Sequence, residues 1–183
     1  MANHGVLIQD SVQAENIKAL NRSAKSAADD IDNGNVFYLA SKSSTAGEGE
    51  VWLATKPATA SGLLCSFKLV GTTYISIADG SIGTQRTTAY QFECVDNSTG
   101  MWMAGTPEVP VVVSASGNKY KGLSNDPREF YNIAGEIIDA FQPQKGDLIT
   151  LTDDALGGSK LTNTYVVATN GTYELTWAAA ANS

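Results

Sequence analysis

Few residues in this chain have both the chemistry and the neighbours that catalysis needs. His4 is the single histidine, so any serine–histidine relay would have to use it. Its surroundings, MANHGVLIQD, read as a mobile arm, which leaves the imidazole without an orienting partner. The acidic pairs Asp29/Asp30 and Asp153/Asp154 are neighbours in sequence, whereas glycosidase carboxylates converge on a sugar from separate elements. Both pairs are expected in solvated turns. The run Asp29 to Asn35, DDIDNGN, suggests a calcium loop but breaks its alternation of ligands. With Asp29 leading, Ile31 stands where a second carboxylate is needed; with Asp30 leading, Gly34 falls on the third ligand position. No glutamate closes either loop at the twelfth position. Two cysteines and one histidine are too few for a zinc site. Cys65 and Cys94 each fall inside an apolar strand pattern and read as reduced core thiols. Walker, GxGxxG and GxSxG motifs are absent from the sequence. The expectation is a protein that is not an enzyme, with no catalytic residues, no cofactor and no metal.

Composition narrows the partners. The 183 residues carry a net charge of −7, with 43% hydrophobic and 17% charged residues. That profile fits one folded globular domain. Nucleic acid and anionic membrane surfaces call for clustered Lys and Arg, which this chain lacks. No window approaches 18 apolar residues, so no membrane-spanning helix is expected. The start lacks the basic and apolar regions of a signal peptide, which predicts synthesis in a reducing cytoplasm. Three tryptophans and seven tyrosines could line a carbohydrate site, but their regular spacing on strand faces favours core packing.

The elements that would position any site are mostly strands. Tyr38–Lys42 resembles Trp52–Lys56, with Trp102–Thr106 as a looser third copy; the first two are predicted to pair across the loop Ser41–Glu50. Cys65, Phe67 and Leu69 alternate with polar residues, as do Tyr90, Phe92 and Cys94. Gly71-Thr72 reads as a turn after Leu69, Ile75 and Ile77 continue with Tyr74 and Ser76 on the other face, and Asp79-Gly80 reads as a hairpin turn. Pro110 marks Glu108–Val113 as an edge strand, and Ser114–Leu123 as a loop follows it. Leu148–Thr152 is a strand, and Asn170-Gly171 joins Tyr165–Thr169 to Thr172–Trp177. One stretch reads otherwise. Asp126 has N-cap chemistry, Pro127 suits the first helical position, and Glu129 completes a capping box. Phe130, Ile133, Ala134, Ile137 and Phe141 then recur at helical spacing. The prediction is therefore a mainly-β antiparallel sandwich or barrel with one capped helix over about 126–141. A thin, alanine-rich stripe from about Ser11 to Asp30 adds an N-terminal helix or arm. Residues 1–33 are expected as that arm and 34–183 as a single β-rich domain.

The segments GTTYISIADGSIGTQRTTAYQFECV, TGMWMAGTPEVPVV, GLSNDPREFYN and PQKGDLITLTDDAL together resemble small structural proteins of tailed bacteriophages. The likeness covers most of residues 34–177 and is nearest to capsid-decorating head proteins. It implies a non-enzymatic, homo-oligomeric protein made in the host bacterial cytoplasm and bound to the outer surface of the virion capsid. The implied partner is the major capsid protein, which the bound protein reinforces or decorates. A tail or baseplate component shares the same style, and a carbohydrate-binding module is the further alternative. Val6, Leu7 and Ile8 on the apolar arm are the candidate contacts to the capsid or a neighbouring subunit. Deleting residues 1–9 is expected to weaken particle binding and leave the fold intact.

Overall fold

Strands sort into two main sheets in the computed structural model, which describes residues 4–8, 12, 13, 21–79, 83–107, 111–113, 119–121 and 126–183. β1 (Asn21–Lys25), β2 (Val36–Lys42), β3 (Val51–Thr55), β6 (Trp102–Ala104) and β9 (Ile138–Phe141) close a barrel in the order β1-β3-β2-β6-β9. β4 (Ser66–Asp79), β5 (Gly83–Asp96), β10 (Leu148–Thr152), β11 (Leu156–Gly157), β12 (Tyr165–Ala168) and β13 (Leu175–Ala178) form a six-stranded sheet in the order β10-β5-β4-β12-β13-β11. β7 (Val111–Val113) and β8 (Lys119–Lys121) pair with each other. Pairing is antiparallel except for β1 with β3 and β11 with β13.

Period-two alternation explains how the sheets share their cores. Phe37, Ala54, Ala104, Ile138 and Ala140 pack with Ala24 in one buried cluster. Five strands enclose little volume, so small side chains fill it. The alternate residues Val36 and Met103 join the larger cluster around Phe67, Phe92, Ile149 and Leu151. Leu7 belongs to this second cluster and is 1% exposed. The strap that carries it runs along the outer edge of β10: Ile8 N donates to Thr150 O (2.9 Å) and Thr152 N to Val6 O (3.0 Å). Gln13 and Leu148 exchange a further backbone pair. The edge of the large sheet is thereby covered, the usual remedy for an unpaired strand.

The helix expected over 126–141 does not form. Its cap is real: Arg128 N donates to the Asp126 carboxylate at 2.9 Å, and Pro127 opens the turn. Only a 3-10 turn, Pro127–Glu129, follows before Phe130 becomes extended. Ile31 and Asn132 then exchange backbone hydrogen bonds (2.8 and 2.9 Å), Gly135 turns the chain at φ +84°, and β9 joins β1 to β6. The β-branched pair Ile137-Ile138 suits a strand, and a helix of that length with an internal glycine is marginal in isolation. Closing the barrel pairs every β9 residue with β1, and Ala140 and Phe141 with β6 as well, which outweighs the local pattern.

Other expectations change as well. The N-terminal helix is not seen where the chain is described: Asn21–Lys25 is a strand of the barrel, while residues 11 and 14–20 lie outside the described residues. Residues 21–33 are thus built into the barrel side of the fold and are not a separate arm. Gly71-Thr72 makes no turn; β4 runs through it with a bulge between Leu69 and Gly71. The loop expected over Ser114–Leu123 includes β8. Residues 80–82, on which the Asp79-Gly80 turn partly rests, lie outside the described residues, although Asp79 does face Gly83. DDIDNGN is no solvated turn, because Ile31, Asn33 and Asn35 are buried. The β2–β3 pair and β10 form where expected; the β12–β13 hairpin also forms, but its pairing starts at Ala168↔Leu175, so the connection spans residues 169–174 and not Asn170-Gly171 alone.

Candidate functional site

The residues singled out for chemistry are used to hold the fold together. His4 Nδ1 lies 2.8 Å from Asp32 Oδ1, and Gly5 N donates to Asp32 Oδ2 at 2.7 Å. His4 N donates to Arg128 O at 2.8 Å, and the imidazole stacks on Tyr131 with ring centres 4.2 Å apart. His4 is therefore clamped, not carried on a mobile arm. The Asp32 hydrogen bond raises its pKa against the opposing effect of burial, helped by the charges of Asp32 and Asp30. The other carboxylates of the run serve different partners: Asp29 pairs with Lys56 at 3.1 Å, and Asp30 accepts from Ala134 N at 2.9 Å. Among the described residues, no group of three or more His, Cys, Asp or Glu could share a metal ion. Cys65 and Cys94 are free and buried; burial pushes the Cys94 thiol up to about 12 and Cys65 also well above its ordinary value. Neither is a thiolate near neutrality, so neither is a ready nucleophile.

The candidate contacts Val6 and Leu7 are 3% and 1% exposed, and Ile8 is half-buried. The apolar surface of Val6 and Leu7 is buried within this chain. Burying Val6 and Leu7 contributes about 1.5–3 kcal/mol each, so deleting residues 1–9 would damage the fold itself.

The surface left for a partner lies elsewhere. β4 and β5 pair continuously from Ser66↔Asp96 to Asp79↔Gly83. At about 3.3 Å per residue, each 14-residue strand is roughly 45 Å long. Their flanking strands stop early. β12 accompanies β4 to Lys68, with one more bond from Leu69 N to Thr164 O, and β10 accompanies β5 to Ala89. Beyond those points, Val70–Asp79 and Gly83–Thr88 have no strand neighbours but each other among the described residues. The result is a two-stranded ribbon that runs on beyond its flanking strands, with both edges open among the described residues. The bulge sets Val70 at its root, 54% exposed, and Tyr74 further out is 62% exposed. A bulge increases local twist and re-aims the side chains beside it, which accounts for an exposed valine in an otherwise regular strand.

The alternating residues of β4 and β5 foretell the strands. The open edges are missed because the signal would be a mismatch in length: 14-residue strands beside four- and five-residue ones. No protein-family model matches the chain, and no curated protein or solved structure gives a match.

Proposed function

We propose that this chain is a non-enzymatic structural protein of a tailed-phage virion, binding the outer surface of the capsid as a homo-oligomer and reinforcing or decorating it. The observation that carries the reading is the two-stranded ribbon. Strand edges with unused N–H and C=O groups recruit other protein chains by strand addition, and assembly is the use such an element serves. The sequence resemblance supplies the setting and the major capsid protein as partner. The test is co-sedimentation with decoration-free phage heads. Saturable binding at a fixed ratio to capsid subunits is expected. A shortened ribbon, with Asn-Gly replacing residues 76–86 between the paired Ile75 and Thr87, should bind at least about tenfold more weakly, a loss of 1.4 kcal/mol. Absence of binding to heads would refute the capsid assignment; binding to tails instead would select the tail or baseplate reading.

A carbohydrate-binding module is disfavoured by the aromatic faces. Lys42 lies over Trp52 at 5.8 Å, Arg22 over Trp102 at 5.7 Å, and Trp177 is buried against Tyr90 and Phe92. A sugar ring would have to displace a cation from each of the first two.

A further inference from the structure

We infer that the open edge of β4 is where two copies of this chain pair, antiparallel about a two-fold axis, joining two ribbons into one four-stranded sheet. The argument rests on the edge itself; it shares the ribbon with the capsid reading and specifies how the homo-oligomer proposed there would form.

A ribbon of two strands is marginal alone in water, and three or more strands are needed for independent stability. Here the unaccompanied part begins at Val70, immediately after the last bond from β12. In an antiparallel pair, alternate residues turn both backbone groups outward. An edge running from Val70 to Asp79 therefore presents about five such residues. Natural edges of this kind carry guards: charged side chains, proline, or a covering segment. Elsewhere in this sheet, the edge at β10 has such a cover in the strap of residues 4–8. The β4 stretch Val70–Ala78, VGTTYISIA, contains neither a charged residue nor a proline.

That sequence favours a second copy as the occupant. A two-fold axis sets an edge against its own reversed copy, residue i facing residue j and j facing i, so a stretch without charges meets none on its partner. Two chains of net charge −7 repel over most of their surfaces. Between Lys68 and Asp79 the edge is neutral, and the two chains approach there without that penalty. The side chains also suit cross-strand packing: Val70 and Tyr74 are exposed and large, and Thr72 and Thr73 are exposed and β-branched. Aromatic and β-branched pairs are the favourable partners across an antiparallel seam.

The test uses the purified full chain without heads. Light scattering across a concentration series should show the mass rising from one chain of 19.2 kDa towards two, with slower hydrogen exchange over residues 70–79 at the high end. The double variant Val70→Lys/Tyr74→Lys should associate at least about tenfold more weakly. Both positions are solvent-exposed, so its melting temperature should stay close to that of the wild type. Added lysines lower the net negative charge, so a general charge effect would strengthen association; weakening can come only from the edge. Ile137→Lys, on an exposed residue of the barrel side, should not weaken association. A chain that stays single at every concentration, or a double variant that associates like the wild type, overturns the inference. Dimerisation without head binding sinks only the capsid reading, and head binding by a single chain sinks this inference and the homo-oligomeric part of that reading while leaving capsid binding standing.

Discussion

Asn132 and Ile137 exchange roles depending on whether residues 126–141 are a helix or a turn leading into β9, and this makes them a decisive pair. On a helix, Ile137 lies on the apolar face and Asn132 on the wet one. In the barrel, Asn132 is 4% exposed and Ile137 is 52% exposed. Asn132 Nδ2 donates to Ile31 O at 2.9 Å and to Asn33 Oδ1 at 3.1 Å, and its Oδ1 accepts from the Thr106 hydroxyl at 2.5 Å. Thr106 Oγ1 in turn accepts from Asp139 N at 3.1 Å, so the network fixes the start of β9. Asn132→Ala removes three side-chain bonds at about 1 kcal/mol each and strands buried partners; the expected loss is about 2–4 kcal/mol. For a chain of this size that lowers the melting temperature by about 5–15 °C. Ile137→Ala removes a half-exposed side chain and should cost about 1 kcal/mol or less. Thermal and urea unfolding of the two variants measures both. A near-neutral Asn132→Ala beside an Ile137→Ala that costs 2 kcal/mol or more would refute the barrel account of this segment.

Two further predictions concern the strap and the turn beneath it. Because Asp32 raises the His4 pKa, the folded state favours the imidazolium. Its contribution is complete below the unfolded value of about 6.5 and fades as pH rises through the higher folded value. Stability should therefore fall from pH 6 into the mildly alkaline range, with faster exchange of the Gly5 amide, and His4→Gln should flatten the profile; a profile unchanged by His4→Gln would contradict the clamp. Gly34 sits at φ +91° with its α-carbon facing Leu151, so a Cβ there would run into that side chain. Gly34→Ala should cost about 2–4 kcal/mol from backbone strain and overpacking, whereas Gly47→Ala, at φ +87° with open space around it, should cost only the strain; equal losses in denaturant melts would show that Leu151 does not press on this turn.

Period-two alternation made most of the β architecture legible in advance. Cys65, Phe67, Tyr90, Phe92, Leu175 and Trp177 all lie where that alternation puts them, on the buried face. The Asn170-Gly171 turn, with Gly171 at φ +79°, was equally readable, because turn chemistry depends on neighbours in sequence alone. What failed was whatever depended on partners distant along the chain. Asp126, Pro127 and Glu129 announce a helix and start one turn of it, yet Ile138–Phe141 is held by β1 and β6, both more than 30 residues earlier in the chain. Val6 and Leu7 looked like a free arm because sequence does not reveal that β10 has a vacant edge for them. The ribbon is legible as two strands, but its edges are open among the described residues because β10 and β12 are short and end where they do. Local side-chain pattern sets which residues can be strands; long-range hydrogen bonding decides which strands find partners, and so which edge is left for another molecule.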